Sequence, residues 1–125
     1  MAVRFDDFAE LVMGIDGVMN YTLVRNDGRV MKHNFIDPEP ISSTVLFNGL
    51  SCDALKPVMG MTYFRHLICI KDNNEKLMVF PIGKYFLGIL QGADAYTPDI
   101  VNEVTRIIDA VIRNKSLASL NERKQ

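Results

Sequence analysis

The sequence has few of the residues that usually mark catalytic or metal chemistry. Only two histidines and two cysteines occur among 125 residues, and Cys52 and Cys69 form no CxxC motif. No GxGxxG or GxxxxGKS/T phosphate-binding loop is present, and no spacing suggests a Ser-His-Asp or Cys-His arrangement. We therefore expect no catalytic residue, no metal site and no cofactor, and an enzyme is the least supported class.

The sequence also lacks a surplus of one charge and a long hydrophobic run. The formal net charge is −1, and no Arg/Lys cluster is interleaved with aromatics, which argues against a nucleic-acid partner. The most apolar run, 77–90, is broken by Pro81, Gly83 and Lys84 and is shorter than the ~20 residues that a membrane helix needs. No leader pattern is visible at the N-terminus. We expect a cytoplasmic protein with no membrane contact and no disulfide.

The run 77–90 is the most informative segment that is present. It predicts two strands that fold back on each other at Ile82-Gly83-Lys84. Neither strand alternates cleanly between polar and apolar residues, which is typical of a sheet covered on both faces. Such a small covered sheet leaves little room for a catalytic cleft, so the pattern favours a scaffold or binding module.

The rest of the chain predicts three helices and three further strands in one α+β domain over residues 1–113. The order α-β-β-α-β-β-β-α, with antiparallel hairpins, indicates a single five-stranded antiparallel sheet with helices on both faces. Residues 114–125 are expected to be a polar, frayed tail. The predicted helices cover 3–14, 43–56 and Thr97 to about 113; the predicted strands cover 18–25, 29–35, 61–71, 76–82 and 84–90.

Prolines and small polar residues predict the limits of the central helix. Asp37–Pro40 contains two prolines, which disfavour helix and ladder pairing, so this segment is expected to be a stop. Ser42 or Ser43 is the expected helix cap. Pro57 and Gly60 are expected to end the helix.

The central helix carries apolar residues on two sides. A surface helix needs only one apolar stripe, so two stripes imply two packing partners: the sheet and something else. One stripe is Leu46, Leu50 and Ala54, flanked by Phe47 and Val58; the other is Val45, Cys52, Leu55 and Met59; the far side has Gly49, Asp53 and Lys56.

Three local matches and the element order resemble the roadblock/dynein light chain domain family over roughly residues 3–112. The matches are Ile15–Val18 leading into the first strand, the Asn26–Gly28 turn, and Phe80–Ile82 followed by Lys84–Leu87. The resemblance implies a non-enzymatic roadblock/profilin-like domain that forms homodimers or pairs with a related chain. In that family the strand after the central helix pairs with its copy, the two central helices lie together, and the surface commonly engages Ras-like small GTPases or serves as an assembly platform.

These expectations place an interface on the central helix and on alternate residues of the strand 61–71. The alternative is a monomeric small-ligand sensor of the profilin, PAS or GAF type, with a pocket between sheet and helices. A metal site at His66, Cys69 and Asp72 is disfavoured because His66 and Cys69 would point to opposite faces of a strand. The predicted interface residues are Leu46, Phe47, Leu50, Ala54, Thr62, Phe64, His66 and Ile68.

Overall fold

A computed structural model describes residues 5–114, with side chains through residue 111. Except for Asn114, the predicted tail 114–125 lies outside the described residues. The element order is the one predicted from sequence. The elements are α1 (Phe5–Met13), β1 (Val18–Arg25), β2 (Val30–His33), α2 (Pro38–Met59), β3 (Leu67–Ile70), β4 (Lys76–Ile82), β5 (Tyr85–Gln91) and α3 (Thr97–Asn114).

The five strands form one sheet in the spatial order β2-β1-β5-β4-β3. Every neighbouring pair is antiparallel, and β5 lies at the centre. The predicted fold class is therefore confirmed, and β2 forms one edge of the sheet. The second edge is β3, the short strand that follows α2.

The central hairpin explains why the sheet is covered on both faces. Strands β4 and β5 meet at a tight turn in which Gly83 has a φ of 56°, a left-handed conformation that glycine adopts without strain. All seven residues of β5 are buried. Helices α1 and α3 cover the face that includes Phe80, Leu87 and Ile89, and α2 covers the face that includes Phe86.

Helix α2 is longer than predicted at both ends. Asp37 is its N-cap, with extended φ, and Pro38 is the first helical residue. The expected stop and serine cap were wrong because proline is tolerated in the first turn, where its missing N–H would have no partner anyway. Pro57 lies in the exposed last turn and does not end the helix; Gly60 ends it with a left-handed φ of 70°.

The strand predicted over 61–71 is wrong for its first half. Only Leu67–Ile70 pairs with β4, and residues 61–66 form an irregular connection. Continuation of the β3–β4 register would place Arg65 opposite Pro81, which has no N–H to donate to a ladder. Within the connection the Phe64 ring stacks on Phe86, whereas Tyr63 is exposed, and the pairing with β4 begins only at Leu67.

Candidate functional site: the outer face of α2 and the β3 edge

Helix α2 contacts the sheet through small residues. A Cβ atom added at Gly49 would lie 2.6 Å from the ring of Phe86, and one added at Gly88 would lie 2.4 Å from Cγ2 of Val45. Real Cβ atoms do not approach so closely, so both glycines are needed for the helix to lie this near the strands. Gly49, predicted on the side away from the apolar stripes, is instead at the centre of the buried face.

A buried hydrogen bond stabilises the N-terminal half of the contact between α2 and the sheet. The hydroxyl oxygens of Ser42 and Thr22 are 2.8 Å apart, and both residues are buried. Either hydroxyl can be the donor of this hydrogen bond, so both groups keep a hydrogen-bond partner when they are buried away from water. The buried stripe of α2 is therefore Ser42, Val45 and Gly49, which is narrow and contains only one branched apolar side chain.

Because the buried stripe is narrow, most apolar side chains of α2 point away from the sheet. We call this surface the outer face of α2; at about 100° per residue, its members lie opposite or beside the Val45–Gly49 stripe. A contiguous exposed apolar patch on a small domain usually marks an interaction site. Its exposed residues are Phe47 (70% exposed), Leu50 (42%), Ala54, Leu55 (50%), Val58 (79%) and Met59 (66%).

The apolar surface continues from α2 through the connection into the sheet edge. Met61 is 39% exposed and Tyr63 is 60% exposed in the connection, and Ile70 is 66% exposed at the end of β3. Within residues 5–114, β3 pairs only with β4, so its other side presents backbone groups that can accept another strand. An apolar helix face and an open strand edge are thus joined by one connection.

The structure brings together only part of the predicted interface. Phe47, Leu50 and Ala54 share the outer face of α2, whereas Leu46 is half-buried and packs against the core cluster of the α2 face. Thr62 is exposed in the connection. The structure thus keeps three of the four predicted helix positions on one exposed surface.

The three remaining predicted residues do not share one face. The Phe64 ring stacks on Phe86, with 6.5 Å between centroids, on the α2 side. The His66 ring lies 5.6 Å from the ring of Phe80, and Ile68 packs on the core cluster of α1 and α3. Strand alternation failed as a guide because residues 61–66 are not a strand. The predicted interface residues did not include Leu55, Val58 and Met59, which are exposed on the outer face of α2; taking Gly49 as the buried centre would have placed them there.

Charged and thiol groups border the outer face of α2 without forming a reactive cluster. Lys56 Nζ lies 2.9 Å from the carboxylate of Asp53. Burial, with smaller contributions from Asp53 and Cys69, raises the pKa of the Cys52 thiol above its ordinary value, which disfavours the nucleophilic thiolate. Among the described residues no group of three or more His, Cys, Asp or Glu side chains could hold a metal ion.

A cleft of about 440 Å³ lies at the end of the sheet next to this surface. Its walls come from the C-terminal half of α2, the connection, the β4–β5 turn and α3, and include Lys56, Phe64, Pro81 and Thr105. Phe80 and Phe86 of the sheet also line this cleft, so it lies between the sheet and two helices, where the sensor alternative expects a pocket. Within residues 5–114 no helix has the length and apolar character needed to cross a membrane.

Comparison with solved structures identifies the architecture. The chain is similar to a roadblock/LC7 domain from Streptomyces avermitilis, with a TM-score of 0.67, 19% identity and coverage of 85% of this chain and 92% of that one. It is also similar to MglB in a tetrameric arrangement, with a TM-score of 0.72, 18% identity and coverage of 87% and 88%. No protein-family model and no curated protein matches the sequence. The chain thus folds as a roadblock-like domain.

The same architecture extends to a protein outside the roadblock group. Profilin IB from Acanthamoeba castellanii matches with a TM-score of 0.60 and 13% identity, over 86% of this chain and 94% of that one. The roadblock/profilin-like fold expected from sequence is therefore confirmed. Because one fold hosts several functions, the function has to be argued from the exposed surface.

Proposed function

We propose that this protein is a non-enzymatic interaction module that associates with a second copy, or with a related roadblock-like chain, through the outer face of α2 and the edge of β3. The observation that carries the proposal is the exposure of Phe47, Leu50 and Val58 along one side of α2. Their spacing of three to eight residues forms a continuous seam on a helix, the arrangement that packs into a facing helix.

The energetics of exposure support association through this surface. Burying one large apolar side chain contributes about 1.5–3 kcal/mol, so several such residues supply a substantial driving force for association. An antiparallel partner strand on β3 would add backbone hydrogen bonds next to the helix contact. The tetrameric arrangement of the similar MglB structure is consistent with a fold that assembles from copies.

A charged substitution on the outer face of α2 distinguishes an interface from a surface that remains exposed to solvent. Leu50 is 42% exposed in a single copy, so the carboxylate of Leu50→Glu can reach water there, and the fold should survive. Buried without a partner at an interface, the same charge costs about 3–5 kcal/mol, which weakens association by at least a hundredfold. We expect Leu50→Glu to be a folded monomer by sedimentation equilibrium and circular dichroism.

The matched control is Leu11→Glu, which places the same charge on a residue 52% exposed on α1, across the sheet. This variant should keep the oligomeric state of the original chain. If Leu50→Glu self-associates as strongly as Leu11→Glu, the outer face of α2 is not the interface.

We further propose that the assembled module regulates or scaffolds a Ras-like small GTPase. Support comes from the roadblock-like fold and from the residues that resemble the roadblock family, whose members commonly engage such GTPases. The chain itself has no phosphate-binding loop, so the nucleotide would be held by the partner. The described part of the chain also offers no clustered metal ligands for nucleotide chemistry.

Nucleotide-dependent binding tests this second step. Ras-like GTPases from the source genome, loaded with a GTP analogue or with GDP, are passed over the immobilised full chain. Preferential retention of one nucleotide state is expected, together with its loss in Leu50→Glu if the partner needs the assembled surface. If GTPases in both nucleotide states are retained equally, or none is retained, the proposed regulation of a GTPase is contradicted and only the role as a scaffold remains.

A further inference from the structure

The face of the domain opposite α2 contains a groove that the proposed function does not use. It lies between the C-terminal half of α1 and the length of α3, with a volume of about 860 Å³. Its floor is apolar and includes Leu11, Ile107 and Ala110, and Leu11 is 52% exposed. Gly14 has no side chain to fill the space where α1 ends. The floor therefore offers apolar surface that a further segment can cover.

The rim of the groove is acidic. Four carboxylates line it, and the one cation among the lining residues is Arg106, whose guanidinium pairs with Glu103. Three carboxylates remain in excess of this pair, and their potentials add, which favours a positively charged occupant. The four acidic residues are Glu10, Asp16, Asp99 and Glu103.

The sequence that follows α3 has the complementary chemistry. Residues 115–125 contain the basic residues Lys115, Arg123 and Lys124 and a single acid, Glu122. The same segment carries two leucines three positions apart, at 117 and 120. Apolar residues between basic ones match an apolar floor between acidic walls.

The segment is also long enough to reach the groove from the end of α3. The fifteen steps from Asp99 to Asn114 span about 22 Å at the α-helical rise. Eleven residues reach at most about 36–40 Å when extended, so a chain that reverses after Asn114 can return along the whole groove. Tethering through α3 also raises the effective concentration of the segment at this site.

We propose that residues 115–125 bind the α1–α3 groove of their own chain, with the leucines on the apolar floor and the basic residues against the acidic rim. The proposal is independent of association through α2, because the two surfaces lie on opposite faces of the sheet. It assigns the groove a definite occupant and makes its occupancy sensitive to salt.

Disulfide trapping in the full chain tests the proposal. In a Cys52→Ser, Cys69→Ser background, Leu11→Cys is combined with Leu120→Cys. The matched control combines Leu120→Cys with Ile36→Cys, at a fully exposed residue in the connection between β2 and α2. At about 1 μM protein the first pair should form an intramolecular disulfide about tenfold faster than the control, as a docked segment has a higher local concentration. Charge reversal by Glu10→Lys and Asp16→Lys, or 500 mM NaCl, should remove the difference.

Equal rates for the two pairs, or disulfides that link only separate copies, would overturn the proposal. A second measurement keeps both native cysteines. Trypsin cleavage after Lys115 should be several-fold faster in the Glu10→Lys, Asp16→Lys variant than in the original chain, because a docked segment must be released before cleavage. Unchanged cleavage under conditions where both proteins remain folded contradicts docking in this groove.

Discussion

Replacing Gly49 by alanine sets two opposed effects against each other. In an ordinary helix position the change stabilises by about 1 kcal/mol, since alanine is the better helix former. Here the new Cβ would lie 2.6–2.7 Å from three ring atoms of Phe86. Phe86 is 3% exposed and stacks against Phe64, so its ring has little freedom to move. Overpacking of this kind costs about 1–3 kcal/mol, so after the gain in helix propensity we expect a net loss of up to about 2 kcal/mol.

Urea unfolding at one fixed protein concentration measures this effect, because association would otherwise change the apparent stability. Ser43→Ala, at an exposed position of the same helix, should be neutral or slightly stabilising and controls for helix propensity. Combining Gly49→Ala with Phe86→Leu should cost less than the sum of the two changes, because the substituted residues are in contact. A stabilised Gly49→Ala protein would refute the close contact between α2 and the sheet, and with it the reason that the apolar residues face outward.

Two further predictions concern β1 and its turn. Ser42→Ala leaves the buried hydroxyl of Thr22 without its 2.8 Å partner and should cost about 1–3 kcal/mol in urea unfolding; adding Thr22→Val should recover part of that loss, and an unchanged cost would contradict the pairing. The Arg25 side chain and the Arg29 amide lower the pKa of Asp27 from 3.8 to about 2. Its stabilising effect should be complete above pH 3.8 and lost as the pH falls through about 2, and an NMR titration midpoint near 4 would contradict the ion pair.

The β4–β5 hairpin and α3 could be predicted from sequence because their signals are local. The hairpin combines a long apolar run with a glycine turn at Gly83, and α3 combines a hydroxyl cap and an early proline with one broad apolar stripe from Thr97 onward. In both segments the local preference and the tertiary packing agree. The observed strands Lys76–Ile82 and Tyr85–Gln91 accordingly match the predicted ranges within one residue at each end.

The limits and orientation of α2 could not be predicted because they depend on contacts between distant residues. Pro38 reads as a stop in sequence but fits the first turn of a helix whose start Asp37 marks. Gly49 contributes nothing to an apolar stripe, yet it lies at the centre of the contact with Phe86. Hydrophobic periodicity shows where the apolar residues of a helix lie. A helix that lies very close to a strand needs small residues at the contact, and periodicity does not reveal these. The structure therefore divides both predicted apolar stripes: Val45 faces the sheet, whereas Leu50 and Leu55 are exposed.

Residues 61–66 belong to the predicted strand 61–71 but form an irregular connection in the structure. Tyr63 and Phe64 favour strands by propensity, but the left-handed Gly60 and the proline at 81 set where the chain can pair. As a result Phe64 lies on the α2 side and His66 on the α1/α3 side. Propensity alone could not reveal this division of the predicted interface.

The mass of the original chain in solution tests the central claim most directly. Sedimentation equilibrium at micromolar concentrations and physiological salt gives this mass without a label or a fitted shape. If the exposed side of α2 and the open edge of β3 are covered by a second copy, the mass should be twice the 14.1 kDa of one chain. A species that stays at 14.1 kDa up to about 100 μM, with no added partner chain, would contradict self-association through this surface.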